Sequence, residues 1–270
     1  MTTRLAYTRK GSGEPLLLIH GIGHRRQAWD PVLERLAESY DVIAIDLAGF
    51  GESEPYPDGT AYSMDNACRI IGENLEEWGV SDPHVVGNSL GGAIALELGA
   101  RGMARSVTAL SPAGFFRGLG DRVQALVLLL ALRFAAMLPV PVLRAVSHSA
   151  FGRRIAGLSL YTHPERFDNT AVLGDAIALK QARAFNGTLK AGLHYRFDSA
   201  VDVPTTIAWA TRDRILRFGQ SGLAQERLPN AVHVALPHCG HVPMIDDPDL
   251  IVRVIDNTVD ETSDSEEQAA

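Results

Sequence analysis

A single hydroxyl group stands in the middle of the sequence VVGNSLGGAIALELG, which covers residues 85–99. Gly87 and Gly91 lie two residues on either side of Ser89, and residues without a side chain allow a tight turn that exposes the serine between a strand and a helix. The pattern Gly-x-Ser-x-Gly in that context is typical of a nucleophilic serine. Because a serine hydroxyl is a weak nucleophile near neutral pH, it also needs a base and a group that orients the base. The pattern predicts covalent acyl transfer at Ser89.

Asp213 and His241 are the predicted orienting acid and base. Asp213 follows the apolar run 205–210 and His241 follows the run 232–236, so each lies where a strand ends, in the chain order serine, acid, histidine. Asp202 is a competing acid, but it precedes its strand and would lie at the opposite edge of the sheet. The other interpretation of Asp213 is an exposed loop carboxylate.

The negative charge that develops on a carbonyl oxygen under attack needs backbone N–H donors. We expect one from Leu90, the residue after the serine, and one from Ile22 in the glycine-rich turn at 20–23, unless that turn is only a tight loop. These groups suffice for acyl transfer, so we expect no metal and no organic cofactor. His238 and Cys239 precede the predicted base closely, but a structural zinc site usually has four ligands and the sequence has no second cluster.

Short apolar runs alternate with helical patterns along most of the chain. This alternation is typical of an α/β protein with a parallel sheet that is covered by helices on both faces. Between 115 and 198 the strand pattern is absent, which predicts a helical insertion in a core formed by 1–114 and 199–259. The predicted strands are 16–19, 42–45, 84–86, 107–110, 205–210 and 232–236.

Composition limits the classes of partner. The 270 residues carry a net charge of −7, which argues against a nucleic-acid partner. The acyl transfer predicted at Ser89 makes a small-molecule substrate the expected partner. Five acids and no base lie in 260–270, which predicts a disordered acidic tail. The two cysteines, Cys68 and Cys239, are too few for a disulfide framework and fit a reducing compartment.

The N-terminus lacks the apolar stretch of a secretory signal, so we expect a cytoplasmic protein. The most apolar segment, 123–143, is interrupted by Arg133 and broken by Pro139 and Pro141. Its unbroken apolar part is well short of the ~20 residues that a membrane span requires. The segment therefore predicts an apolar helix and no membrane span.

Four blocks of the sequence resemble the α/β-hydrolase superfamily, in the right order and over nearly the whole chain from 16 to 259. They are HGIG at 20–23, DLAGFGES at 46–53, GNSLGG at 87–92 and GHVP at 240–243. The resemblance implies an α/β-hydrolase fold with a mostly parallel central sheet and a helical cap, 115–198, over the site. The family's catalytic triad falls on the serine, acid and histidine named above, and its oxyanion hole falls on Ile22 and Leu90.

Within this superfamily we expect a serine hydrolase that cleaves a small or medium, largely apolar carboxylic ester through an acyl-enzyme. The first alternative is a hydrolase of carbon–carbon bonds in meta-cleavage products. Such enzymes share the GNSLGG block and hold a substrate carboxylate with a cap arginine, for which Arg183 is the candidate, but they typically carry tryptophan where this chain has Val242. The second alternative is a binding protein that keeps the pocket with negligible turnover.

The predicted cap, 115–198, contains eleven Lys or Arg and five Asp or Glu, although the whole chain is acidic. We expect its basic side chains to face solvent while its helices pack on the core or on a second copy of the chain in a homodimer. The alternative is that the basic residues attract an anionic substrate or an anionic surface. The apolar run 125–132 is expected to line an acyl or ring pocket, so Leu128, Leu129 and Leu130 are the predicted substrate contacts.

Overall fold

A single sheet forms the centre of the computed structural model, which describes residues 3–164 and 167–269. Its strands are β1 (Tyr7–Gly11), β2 (Glu14–Ile19), β3 (Tyr40–Ile45), β4 (His84–Asn88), β5 (Ser106–Leu110), β6 (Thr205–Ala210) and β7 (Val232–Leu236). The order across the sheet is β1-β3-β2-β4-β5-β6-β7. All neighbours pair in parallel except β1, which runs antiparallel to β3 at one edge.

The structure confirms the predicted α/β architecture, and the six predicted strands are all present. Each is a short apolar run, and β4, β5 and β6 are buried along their whole length. The sequence does not predict β1, because its residues, YTRKG, are mostly polar and mostly exposed. An edge strand of this kind is held by its backbone pairing, which leaves no apolar pattern in the sequence.

The direction in which the strand order grows reverses at β2. From β2 the chain adds β3 on one side, and it then returns to place β4 on the other side. In open parallel sheets, ligands bind outside the carboxyl ends of the strands at such a reversal. His20 follows β2 and Ser89 follows β4, so the two predicted loops of the site meet at this point.

Helices cover both faces of the sheet. The helices of the core are α1 (Asp30–Leu36), α2 (Met64–Glu77), α3 (Leu90–Ala100), α9 (Ser221–Arg227), α10 (Pro243–Asp246) and α11 (Pro248–Ala269). Apolar side chains of α2 and α3 belong to one hydrophobic cluster, and those of α1 and α11 belong to a second cluster on the other face. The helix α2 begins at the hydroxyl of Ser63, which accepts the N–H of Asn66 at 3.3 Å. Cys68 lies on its buried face.

In the described part of the chain, five further α-helices lie between β5 and β6. They are α4 (Leu119–Ala136), α5 (Val140–His148), α6 (Ala150–Gly157), α7 (Asn169–Gln181) and α8 (Phe185–His194). The helix α4 packs against α7 and α8, and α5 packs against α6 and α7. No single helix in the described ranges has the length and apolar character of a membrane span, although α4 and α5, bent by 107°, pass that test as a pair.

The acidic end of the chain continues the last helix. The backbone of α11 is helical to Ala269, and disorder of the tail stays a prediction. The buried face of the helix continues beyond the apolar core residues, because Thr258 bonds to the hydroxyl of Thr206 at 2.8 Å and Thr262 is buried as well. This anchoring allows the acids to extend the helix. The side chains after Thr262 and the last residue lie outside the described part.

A buried carboxylate organises the loop after β3. Asp46 is fully buried and accepts the backbone N–H groups of Arg26 at 2.6 Å and Glu52 at 2.9 Å, and it forms an ion pair with the Arg26 guanidinium. A Cβ atom on Gly51, whose φ is +52°, would lie only 2.2 Å from an oxygen of this carboxylate. The DLAGFGES block is thus explained by loop structure, and it needs no role in chemistry.

Replacing Asp46 with alanine is expected to lower the free energy of unfolding by about 3 kcal/mol, because the variant leaves two N–H donors without their acceptor and the Arg26 guanidinium without its buried acidic partner, with only the exposed Glu52 as a counter-charge. Glu34 provides the control, since its ion pair with Lys10 is exposed and its loss should cost less than about 1 kcal/mol. Urea unfolding followed by circular dichroism measures both. Equal losses in the two variants would contradict the role of Asp46.

Candidate active site

The turn that carries Ser89 is possible only because Gly87 and Gly91 let neighbouring backbone segments approach closely. Ser89 has φ 59° and ψ −113°, a conformation that residues with side chains rarely adopt. A Cβ atom on Gly87 would lie 2.0 Å from the carbonyl oxygen of Gly91, and one on Gly91 would lie 2.1 Å from that of Ile19. The Ser89 N–H donates to the carbonyl of Leu110 at 2.9 Å, which fixes the strained residue to β5.

The structure brings Asp213 and His241 together. The Nδ1 atom of His241 lies 2.7 Å from Oδ2 of Asp213, and both side chains are almost completely buried. The other carboxylate oxygen accepts the N–H groups of Ile215 and Leu216, each at 2.8 Å. With its Nδ1–H directed at the carboxylate, the imidazole keeps Nε2 as an acceptor. Asp202 is exposed and precedes β6.

The residues that carry the two predicted N–H donors, Ile22 and Leu90, line one cavity together with Ser89. The turn after β2 passes so close that a Cβ atom on Gly21 would lie 3.2 Å from Cβ of Ser89. Ile22 and Ser89 line the same cavity. Leu90 is the first residue of α3, so its N–H has no partner within the helix. Both residues are thus adjacent to Ser89, and their role in an oxyanion hole stays a prediction.

His20 fixes the turn that contains Ile22. Its Nδ1–H donates to the carbonyl of Gly21 at 2.7 Å, and its Nε2 accepts the N–H of Leu47 at 3.0 Å, which is the hydrogen-bonding pattern of a neutral ring. Complete burial lowers the pKa of His20 from 6.5 to about 4. The neutral imidazole thus joins the loop after β2 to the loop after β3.

Two site residues were not predicted from the sequence. The side-chain amide of Asn88 donates to the carbonyl of His241 at 2.9 Å and joins the serine turn to the histidine loop. The carboxylate of Asp246 accepts the N–H of Gly240 at 2.7 Å and the N–H groups of Thr162 and His163 in the helical insertion. The GNSLGG block contains Asn88, but an acid among the prolines of PMIDDPD has no signal that points to such a role.

A large cavity, called here the main cavity, lies between the serine turn and the inserted helices. Its unoccupied space is about 1050 Å³, its opening to solvent included, and it contains Ser89 and His241. Three inserted helices each present one face to it, at the spacing of helical turns. These faces are Leu129, Leu132 and Ala136 of α4; Arg153, Ala156 and Gly157 of α6; and Val172, Asp175, Ala176 and Leu179 of α7.

Only one of the three predicted leucine contacts lines the main cavity. Leu129 does so, whereas Leu128 borders a shallow hollow on the outer surface and Leu130 is 44% exposed. Successive residues of a helix point about 100° apart, so three adjacent leucines cannot share one face. Arg183 does not line the main cavity either, and it is exposed between the buried Ala182 and Ala184.

The arginine that does line the main cavity is Arg153. Its guanidinium donates to the carbonyl of Ser147 at 2.8 Å and has no ion pair with a carboxylate in the described ranges. The acid on the same wall, Asp175, is paired with Arg25 at 2.8 Å. The cavity wall therefore holds one cation that no described carboxylate neutralises.

Within the described part of the chain, no three His, Cys, Asp or Glu side chains form a metal-binding group.

This chain resembles several known proteins in sequence or in structure. The family described as the alpha/beta hydrolase fold matches residues 14–248. Lipase 3 of Moraxella sp. is 27% identical, with 87% of this chain and 74% of that protein covered. The pimeloyl-[acyl-carrier protein] methyl ester esterase of Nitrosomonas europaea is 28% identical, with 91% and 96% covered. The crystal structure of a membrane phospholipase A has a TM-score of 0.74 and 25% identity, with 96% and 83% covered.

The chain belongs to the α/β-hydrolase family, because the family match covers most of its length. The seven-stranded, mostly parallel sheet is consistent with this match. Its relatives include lipases and an esterase, and the protein is a hydrolase-type enzyme.

The pKa of His20 makes the free energy of unfolding depend on pH. Because the unfolded chain binds a proton near pH 6.5 and the folded protein only near pH 4, stability is complete above about pH 7 and should fall by about 2 kcal/mol towards about pH 5. The variant His20→Gln should lose this part of the dependence. Guanidinium unfolding at the two pH values measures it.

His194→Gln is the matched control, since His194 is exposed. That variant should keep the pH dependence of the parent protein. If the free energy of unfolding depends on pH equally in the parent protein and in His20→Gln, then His20 is not held neutral in the folded protein.

Proposed function

We propose that this protein is a serine esterase that hydrolyses small or medium, largely apolar carboxylic esters through an acyl-enzyme on Ser89. The observation that carries the proposal is the contact of 2.7 Å between His241 and Asp213, with His241 lining the same cavity as a serine on a strained turn. A buried imidazole that keeps Nε2 as an acceptor is what a serine hydroxyl needs to become a nucleophile.

In the first step, Nε2 of His241 accepts the proton of the Ser89 hydroxyl as Oγ attacks the ester carbonyl carbon. The N–H groups of Ile22 and Leu90 then stabilise the oxyanion. His241 returns the proton to the leaving alcohol, which departs and leaves the acyl group on Oγ. Water attacks this acyl-enzyme by the same route, and the acid is released. Asp213 keeps the imidazole in the required tautomer and stabilises its protonated form.

The division into a core, 1–114 and 199–259, and a cap, 115–198, is part of the proposal. Faces of α4, α6 and α7 form the wall opposite the serine, so the cap would exclude water from the ester and select its shape. The names of the relatives, a lipase and a methyl ester esterase, support an ester as the substrate class.

Hydrolysis of p-nitrophenyl butanoate tests the proposal. Ser89→Ala, His241→Ala and Asp213→Asn should each reduce kcat by roughly a factor of 10⁴ or more, because the three groups act as a unit. Asp202→Asn is the matched control and should retain the parental rate. Near-normal turnover by Asp213→Asn would contradict the assignment of the acid, and a parent protein without turnover of any ester would contradict the function.

A hydrolase of carbon–carbon bonds is the second candidate function, and Arg153 is the observation that favours it. A guanidinium on the wall of the main cavity without an acidic partner in the described ranges suits a substrate with a carboxylate. Hydrolysis of a meta-cleavage dienoate, together with no hydrolysis of esters, would favour this function over the first.

The cavity wall also predicts which leucine selects the substrate. Leu129→Ala should change the relative kcat/KM values of esters with different acyl lengths, because Leu129 lines the space on both sides of Ser89. Leu130→Ala is the matched control on the exposed side of the same helix, and it should leave these ratios as they are. A shift in Leu130→Ala alone would show that the wall has been assigned to the wrong side of α4.

A further inference from the structure

A second space opens on the other side of Ser89. This side cavity, with about 440 Å³ of unoccupied space, is lined by Ser89, Ile22 and Leu90 and otherwise by apolar side chains, apart from Thr188. It shares Ile22, Ser89, Leu129 and Ile215 with the main cavity. His241 lines the main cavity and does not line the side cavity.

A third cavity lies beyond the side cavity. We call it the tyrosine cavity, because Tyr56 and Tyr62 line it with their rings stacked at 4.7 Å. Its unoccupied space is about 970 Å³, its opening included, and it shares Leu90, Thr188 and Gly192 with the side cavity. Thr188 and Gly192 are one turn apart on α8, so one face of this helix borders both cavities.

The charges of the tyrosine cavity are already paired with one another. Arg101 forms ion pairs with Asp65 at 2.7 Å and with Glu97 at 3.0 Å, and Tyr195 donates to Glu97 at 2.8 Å. Its remaining wall is largely apolar. A ligand that reached this cavity would therefore gain from an apolar end and would find no uncompensated charge to pair with.

We propose that the side cavity and the tyrosine cavity form one path that binds the straight acyl chain of the ester, while the alcohol lies in the main cavity. The inference rests on the proposed function. The leaving oxygen must receive its proton from His241, so the alcohol belongs in the cavity that contains His241. The acyl group stays on Ser89 and extends away from His241, into the side cavity, whose apolar walls suit methylene groups.

Gly192 allows the path to be blocked. Outside its chain neighbours and the backbone of its own helix, no atom lies within 4 Å of a Cβ atom on this residue, so a larger side chain enters open space at the boundary of the two cavities. Gly222 on α9 is exposed and equally open, and it lines none of the three cavities, which makes it the matched control.

The experiment compares kcat/KM for p-nitrophenyl acetate and p-nitrophenyl octanoate. The parent protein should hydrolyse the octanoate at least as efficiently as the acetate. Gly192→Phe should lower the ratio of octanoate to acetate by about tenfold or more, since each excluded methylene group can cost that much, and Gly192→Leu should have a smaller effect in the same direction. Gly222→Phe should leave the ratio unchanged.

A second pair of substrates tests the direction of binding. Gly192→Phe should disfavour ethyl octanoate relative to ethyl acetate and should not disfavour octyl acetate, because the alcohol lies elsewhere. A larger loss for octyl acetate would overturn the assignment of the path to the acyl group.

If Gly192→Phe does not fold, the relative kcat/KM values of octanoate and acetate in the parent protein still test the acyl path. Hydrolysis of acetate with rejection of octanoate would overturn the acyl path and leave the esterase in place. Absence of turnover for every ester would instead overturn the proposed function, and the acyl path with it.

Discussion

The close approach of three backbone segments around Ser89 is the constraint on which the rest of the site depends. The serine turn closes because the start of α3 lies against the carbonyl of Ile19 in β2, with no side chain on Gly87 or Gly91 to separate them. This contact brings the ends of β2 and β4 together at the point where the strand order reverses. The turn after β2 and the serine turn consequently line one cavity, and a larger side chain at either glycine would move both turns.

Buried carboxylates provide a second layer of order at the same edge of the sheet. Asp46, Asp213 and Asp246 each accept at least two backbone N–H groups, and each fixes a different loop. A loop that carries chemistry cannot rely on an apolar core to hold it, because it must face a cavity. Hydrogen bonds from a buried charged group to the backbone are strong and directional, and they supply the missing rigidity.

The sequence is sufficient to predict the elements whose residue pattern is local. The six parallel strands are short apolar runs, and the glycines around Ser89 signal the tight turn. Features that depend on the direction of a side chain are harder to predict from the sequence. The apolar run of α4 was recognised, but only the helical rotation in the structure separates Leu129 from Leu128 and Leu130. Asp246 acts on residues more than eighty positions away, and no local pattern carries that information.

The anchoring by Asp246 has a consequence for the construction of chimeric enzymes. One carboxylate holds both the histidine loop and the segment at Thr162 and His163 of the helical insertion, and the N–H of Val242 bonds to the carbonyl of Leu160 beside it. The insertion therefore has an exchangeable part, from α4 to α6, and a part that belongs mechanically to the core. Helices from a relative that replace α4 to α6 would have to be joined to this chain before Leu160. A junction after Leu160 would also replace residues that hold the loop of His241.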